Sequence, residues 1–464
     1  MVKRYFHAAA GLTIGSILLF VQACPAITVA ETVSFAMEHN RDILAVKQQI
    51  AERRGQVIEA RADAFPQLNL SISSFRMRDP GFLNSTFGQA LLKGESISGD
   101  GENGGMPFPI EAIMPRPITY YDMVMNVSQP IFTWGKVSNA VQLAKMGIND
   151  IDLSLEAMRQ DVAYQVTSAY YDVLLAQETI AMYEKSIETQ KRYLRQTRDF
   201  FELGDATRLD VLRAEAQLAA TEPGLLEANN SLIQAQKNLN FLLGRPLDSE
   251  LYTADVKVME DYSPPSLEEV IVRAAANRPD LRRLNLQVEM YDKTINVFKA
   301  DFRPRADLFG SYGFSTIRTQ DLFDRNFESW RIALQVSVPV FDGFKNRGVI
   351  MQYKSRQSQT EIASAKLAEQ IRLDALQSID ACSSAAEVYR ARKISLESVE
   401  EEERVTADQF EQGLATMYEL LDSNRRVIET RINYLDARYN LLREIAALKR
   451  VMGIPVDALF SNNG

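Results

Sequence analysis

The sequence predicts a mainly α-helical chain with membrane-length β-strands: two long antiparallel helical hairpins and four strands per subunit, written as an internal tandem duplication. Three observations carry this. Short motifs recur in the same order at a fixed offset, four segments alternate apolar and polar residues, and two runs of nearly 70 residues lack internal proline. The 464 residues are 46% apolar and 24% charged, and the 22 glycines and 16 prolines are too few for a collagen-like or low-complexity chain.

The duplication is legible residue by residue. Asn40-Arg41-Asp42-Ile43 recurs as Asn277-Arg278-Pro279-Asp280-Leu281, and Ala62-Asp63-Ala64-Phe65-Pro66 as Ala300-Asp301-Phe302-Arg303-Pro304, an offset of 238 at the proline. Gln129-Pro130-Ile131-Phe132 then recurs as Val338-Pro339-Val340-Phe341 at an offset of 209. Phe201-x-x-Gly204-x-x-Thr207 and Phe410-x-x-Gly413-x-x-Thr416, and Gly244-x-Pro246 and Gly453-x-Pro455, keep 209. The 29-residue change falls between Pro66 and Pro130, where Gly/Pro/Ser-rich residues 76–118 read as a long extracellular loop. The repeats are thus 31–262 and 263–464, joined near Pro264-Pro265.

Residues 1–30 read as a signal peptide. Lys3 and Arg4 precede an apolar run from Ala8 to Val21, Pro25 breaks it, and Thr28-Val29-Ala30 offers small residues before a cut. A competing cut before Cys24 would use Val21-Gln22-Ala23-Cys24 as a lipid-attachment box, in which Gln22 fits poorly. Losing Lys3 and Arg4 with the leader takes the formal charge from −9 to −11, which argues against nucleic acid as a partner. The mature chain would keep Cys382 and His39 of two cysteines and two histidines. That excludes an internal disulfide, a Cys/His zinc cluster and catalysis by paired His or Cys/His, and no cofactor is expected. The Gly99–Gly105 stretch lacks a following Lys-Ser/Thr and is no phosphate loop. No later stretch is apolar for 18 residues, so no transmembrane helix is expected.

Strands follow Pro66 (Leu68, Leu70, Ile72 against Asn69, Ser71, Ser73) and precede Pro130 (Tyr121, Met123, Met125, Val127 against Asp122, Val124, Asn126, Ser128). In the second copy they follow Pro304 (Ala306, Leu308, Gly310, Tyr312, Phe314) and precede Pro339 (Ile332, Leu334, Val336, Val338). The four prolines mark strand boundaries. Period two with one apolar face fits a tilted outer-membrane strand, with Tyr120, Tyr121, Tyr312, Phe314 and Trp330 as interfacial aromatics; it fits a half-buried soluble sheet equally well.

Between Gly135 and Leu203 there is no proline, so a helix of roughly 100 Å is predicted. Leu155, Met158, Val162, Val166, Ala169, Val173, Ala176, Ile180, Tyr183 and Ile187 mark its apolar stripe, with a period between the coiled-coil and straight-helix values. Its equivalent runs from about Phe344 to Gln412. Gly204 and Gly413 cap both at the hairpin turns, and return helices span about 208–243 and 417–452. Pro223-Gly224, matched by Ile432-Asn433, should kink the first return helix only.

Four strands cannot close a barrel, and a bilayer tolerates no open sheet edge. Two copies would give a filled eight-stranded barrel; three give twelve strands with room for a passage. A homotrimer is therefore expected.

Helix–strand–strand–hairpin order, Ala-x-x-x-Pro entering a strand, Pro-x-Phe leaving one and Phe-x-x-Gly-x-x-Thr at the turn together resemble the TolC-like outer-membrane channels (outer membrane factors). The resemblance spans essentially the whole mature chain. It implies a trimeric 12-stranded barrel in the outer membrane of a Gram-negative bacterium, joined to a periplasmic helical tunnel. It also implies tripartite efflux or type I secretion as the task, with a periplasmic adaptor and an inner-membrane pump of RND, ABC or MFS type as partners. Carried onto this chain, the aperture carboxylates are Glu419 and Asp422, and Asp210 is the acidic partner of the closed state. Six such carboxylates around one axis should resist full ionisation. The expected basic partner is replaced by Ala415, with Arg208 or Arg213 as substitutes; Glu419 and Asp422 as ordinary solvated helix residues is the competing reading. Glu400–Glu403 reads as a solvated run or an adaptor contact, and Cys382 as a packed thiol. A periplasmic coiled-coil adaptor or scaffold is the alternative function, and an exported enzyme lacks any acid/base or nucleophile cluster.

Overall fold

The computed structural model describes residues 27–78, 117–251, 253–256 and 262–456. Most of the expected signal peptide, including Cys24, most of the 76–118 loop and the Gly99–Gly105 stretch lie outside the described residues.

Two copies of one plan follow each other. The first comprises α1 (Val29–His39), α2 (Arg41–Ala62), β1 (Gln67–Met77), β2 (Ile118–Phe132), α3 (Lys136–Leu203) and α4 (Arg208–Leu243). The second comprises α5 (Leu267–Asn277), α6 (Pro279–Ala300), β3 (Arg305–Thr316), β4 (Glu328–Ser337), α7 (Lys345–Glu411) and α8 (Met417–Val451). The offset of 238 read from the prolines also relates both ends of α1 to α5 and of α2 to α6, and 209 relates the starts of α3 to α7 and of α4 to α8. Pro130 is a correction: β2 runs through it to Phe132, and the ladder to β3 absorbs it as a bulge between Pro130 and Phe132. Pro66 and Pro304 stand immediately before β1 and β3, and Pro339 lies two residues beyond β4. α4 is continuous through Pro223.

The chain forms two compact units, and they are not the two repeats. One holds the part up to Ile43, Arg159–Ala274 and the part from Asp374; the other holds Leu44–Met158 and Ala275–Leu373. In the first unit the predicted stripe is the buried face of α3: Val162, Val166, Ala169, Val173, Ala176 and Ile187 are all buried. Ion pairs join it to α8: Arg443–Asp172 at 2.6 Å, Arg450–Asp161 at 2.7 Å and Arg438–Glu178 at 2.7 Å. Cys382 is buried with Val270, Ala375, Leu448 and Met452, and burial pushes its thiol up to about 12. In the second unit Arg283 on α6 pairs with Asp150 on α3 at 3.1 Å, and the Asn346 amide donates to the Phe298 carbonyl at 2.9 Å. That unit also carries the sheet.

Both hairpins turn by the same local chemistry. Gly204 (φ 87°) and Gly413 (φ 71°) are left-handed, and the amide after each donates to a carbonyl five residues back: Asp205 to Phe200 and Leu414 to Gln409, both at 2.8 Å. Thr207 and Thr416 then cap α4 and α8, exchanging hydrogen bonds with Asp210 and Glu419 three residues on. Thr207→Ala and Thr416→Ala should each cost about 1 kcal/mol, seen as faster amide exchange confined to the first turn of α4 or α8.

Candidate functional site

Two regions carry chemistry beyond packing: the sheet and the hairpin ends. The sheet has order β1-β2-β3-β4 and is antiparallel throughout, so among the described residues β1 and β4 are its edges. Cα partners share a face, and the register gathers most apolar positions on one face and most polar ones on the other. One face carries the rows Leu70–Met125–Tyr312–Trp330 and Leu68–Val127–Gly310–Ile332, continued by Leu308–Leu334 and Ala306–Val336. The other carries Asn69–Asn126–Ser311–Arg331 and Ser73–Asp122–Ser315, with the Ser315 hydroxyl 2.5 Å from the Asp122 carboxylate.

Nothing in the described chain covers the apolar face. Leu68, Leu70, Ile72, Trp330, Ile332, Leu334 and Val336 are 58–72% exposed. Left in water, seven such side chains forgo on the order of 10 kcal/mol of burial. An uncovered apolar face opposite a polar one decides between the two readings of the alternation: this is no soluble core. β2 and β3 approach closely at Gly313, where an added Cβ would stand 2.2 Å from the Met123 carbonyl oxygen.

Aromatic groups stand at both ends of the strands. At the loop end, Phe75 stacks on Tyr120 (5.3 Å) and Phe314 meets Tyr312 and Phe323 (5.8 and 6.0 Å). At the helix end, Phe132 meets Trp134 (5.0 Å), Arg303 lies 5.1 Å over Trp134, and Phe341 meets Phe344 (5.5 Å). Sequence reasoning missed this second group, although Pro-x-Phe followed by Trp134 or Phe344 two or three residues later was visible in both copies.

The hairpin ends of α3–α4 and α7–α8 pack on one apolar cluster of Tyr193, Leu194, Ala214, Phe410, Met417, Leu420 and Leu421. A cavity of about 730 Å³ opens beside it, lined in part by Asp205, Asp210, Arg213, Glu411 and Tyr418. Ala415 packs against the same cluster, which accounts for an apolar residue where the resemblance called for a base. Of the two suggested substitutes, Arg213 stands 3.7 Å from Asp210 and 5.9 Å over the Tyr418 ring, linking α4 to α8.

The three predicted acids hold local partners. Glu419 accepts from the Thr416 amide (2.7 Å) and hydroxyl (2.8 Å), and these bonds, the backbone one first, hold its carboxyl below the usual range. Asp210 accepts in the same way from the Thr207 amide (3.0 Å) and hydroxyl (2.6 Å). Asp422 pairs with Arg425 (2.8 Å) and Arg426 (3.2 Å), and the Arg425 hydrogen bond lowers its carboxyl most. Within one subunit, then, both Glu419 and Asp422 are held in the ionised form by their neighbours. The capping signatures Thr-x-x-Asp and Thr-x-x-Glu were available in the sequence.

The Glu400–Glu403 run is not simply solvated. Glu400 pairs with Arg431, Glu402 with Arg426 (2.7 Å), Glu401 with Arg404 (2.7 Å), and Glu403 accepts from the Tyr193 hydroxyl (2.9 Å). Four successive helical positions reach α8, α3 and their own helix. Among the described residues no group of three or more His, Cys, Asp or Glu could hold a metal ion, and no helix is long and apolar enough to cross a membrane.

Comparison with known proteins gives one consistent answer. A family model described as "Outer membrane efflux protein" matches residues 32–245 and 270–454. The chain is 24% identical to the alkaline protease secretion protein AprF of Pseudomonas aeruginosa over 74% of this chain and 72% of that one. It is 23% identical to the outer membrane protein TolC of Vibrio cholerae, over 73% and 78%. Among solved structures, CusC superimposes with a TM-score of 0.74 at 17% identity over 92% of both chains. The open-state MtrE channel of Neisseria gonorrhoeae gives 0.72 at 19%, over 92% and 88%.

Glu419 and Asp422 both titrate below their unfolded values, so their contribution to α8 is complete above the ordinary carboxylate range and lost as pH falls below about 4. Amide protection in the first turn of α8, corrected for intrinsic rates, should drop between pH 6 and pH 3, and less so in Asp422→Asn.

Proposed function

Because the chain belongs to the outer membrane efflux protein family, we propose that it acts as a homotrimer, each subunit giving four strands to a shared twelve-stranded barrel. The chain is an outer-membrane channel that passively conducts substrates exported by an efflux or type I secretion system. No bond is made or broken; the family is a passive channel, not an enzyme. One observation carries the reading: a four-stranded sheet with one uncovered apolar face and two free edges. In hydrocarbon every backbone amide and carbonyl needs a partner, so β1 of one subunit pairs with β4 of the next and three subunits close the wall. The apolar face meets outer-membrane lipid, and the polar face, with Asn69, Asn126, Ser311 and Arg331, lines the water-filled passage.

The long hairpins extend into the periplasm, where their turns meet a periplasmic adaptor coupled to an inner-membrane pump of RND, ABC or MFS type. The matched family favours the channel over the adaptor reading. Glu419 and Asp422 ring the periplasmic aperture, and Asp210 with Arg213 takes the closing role left vacant at Ala415. Because Glu419 also caps α8, Glu419→Gln is the informative variant: glutamine keeps the cap and removes the charge.

Native mass spectrometry of the detergent-solubilised protein should give three copies, and a monomer alone would sink the barrel. In planar bilayers, Glu419→Gln with Asp422→Asn should lower cation over anion permeability several-fold while leaving channel insertion unchanged; unaltered selectivity removes these residues from the aperture. The chain's two tryptophans, Trp134 beyond the helix end of β2 and Trp330 near the loop end of β4, should both be quenched by lipids brominated close to the headgroup. Both should respond weakly to bromine at the bilayer centre.

A further inference from the structure

We propose that the cut releasing the mature protein falls on the N-terminal side of Ile27, so that the exported chain keeps Ile27 and Thr28. The small residues Thr28-Val29-Ala30 read in the sequence as the end of a leader, yet the fold uses them. The Ile27 carbonyl accepts from the Ala254 amide at 3.1 Å, part of a one-residue parallel bridge to Thr253. It also lies 2.7 Å from the hydroxyl of Tyr170, which is 2.7 Å from the Ala254 carbonyl as well. Tyr170 is fully buried, and its single hydroxyl hydrogen is shared between these two carbonyls, tying the Ile27 segment to the Ala254 strap. The strap that Ile27 joins is pinned from its other sides. The Thr253 hydroxyl donates to Gln177 (2.7 Å), and Arg438 reaches Asp255 (3.2 Å) and the Val256 carbonyl (2.8 Å).

Thr28 is equally committed. Its hydroxyl accepts from the Glu31 amide (3.3 Å), its amide donates to the Glu31 carboxylate (2.8 Å), and its carbonyl accepts from the Thr32 amide (3.0 Å) and hydroxyl (2.8 Å). That is a complete capping box for α1, whose Val29, Val33 and Ala36 are buried. Hydrolysis after Ala30 would add water across the Ala30–Glu31 bond and leave an ammonium on Glu31. A cation would then sit at the positive end of a helix that has lost its cap, and Tyr170 would keep one carbonyl of two. Hydrolysis of the Ala26–Ile27 bond leaves the ammonium on Ile27 and every one of these contacts intact, as does a cut before Cys24.

The test is N-terminal peptide sequencing and intact mass of the protein taken from outer membranes. A chain beginning at Ile27, or at an acylated Cys24, supports the proposal, and the acyl mass separates those two origins. A chain beginning at Thr28 or later, or one left uncut, overturns it. A second measurement fuses a foreign leader directly to Ile27 or to Glu31. The Ile27 form should reach the native amount of trimer and the native melting temperature, and the Glu31 form should fall short in both. Equal behaviour of the two forms overturns the proposal.

Discussion

Unpaired backbone at the edge of a sheet has no partner in hydrocarbon, and the rest of the chain is arranged around that constraint. The four strands are 10–15 residues long, enough to cross a bilayer when tilted, and they leave β1 and β4 with one bare side each. A helix cannot pair those edges, because its own amides and carbonyls are already bonded to one another. A second copy of the same chain can cover them, because the edge it offers at β4 is what β1 lacks. The unmet hydrogen bonds call for further copies of the chain, and the need for an open passage selects three over two.

Duplication supplies the pieces, and the places where the copies diverge show what each must do. At the strand-to-helix junction both copies need two consecutive left-handed residues. The first uses Trp134 (φ 50°) and Gly135 (φ 77°), the second Gly343 (φ 67°) and Phe344 (φ 65°). One glycine per copy relieves half of the strain, and the other position accepts about 1–3 kcal/mol to keep an aromatic at the helix end of the strands. The return helices diverge at Pro223-Gly224 and Ile432-Asn433. In α4 a Cβ on residue 224 would stand 2.6 Å from the Tyr183 ring, so the glycine admits α3's tyrosine against its backbone. The neighbouring proline gives up one helical hydrogen bond at the same spot.

Elements written as local pattern were legible in the sequence. Strand alternation, the stripe on α3 and the Gly-x-x-Thr turns each involve residues a few positions apart, and the helix boundaries reproduce the offsets read from the motifs. Pro130 misled because a proline without an amide normally ends a ladder, whereas a bulge can carry the strand past it. Thr28 carries two readings, because a small residue before a cut and a helix cap look alike unless Glu31 is counted three positions on. Glu400 and Glu402 were opaque for another reason: their partners Arg431 and Arg426 lie on α8, across a hairpin turn, and no local period points to them.

The hairpin ends separate two acids that a sequence motif treats alike. Asp422 has Arg425 and Arg426 within its own helix and, through Arg426, Glu402 on α7. Its charge is therefore balanced inside each subunit. Glu419 leans on a neutral threonine, and among the described residues it has no ion pair. Of the two acids Glu419 is thus the one whose charge no cation balances among the described residues, and that carboxylate is bonded to the first turn of α8. While the cap holds, its position is set by that turn and not by a cation, so two acids three residues apart are fixed by different physics: one by a helix cap, the other by an arginine network.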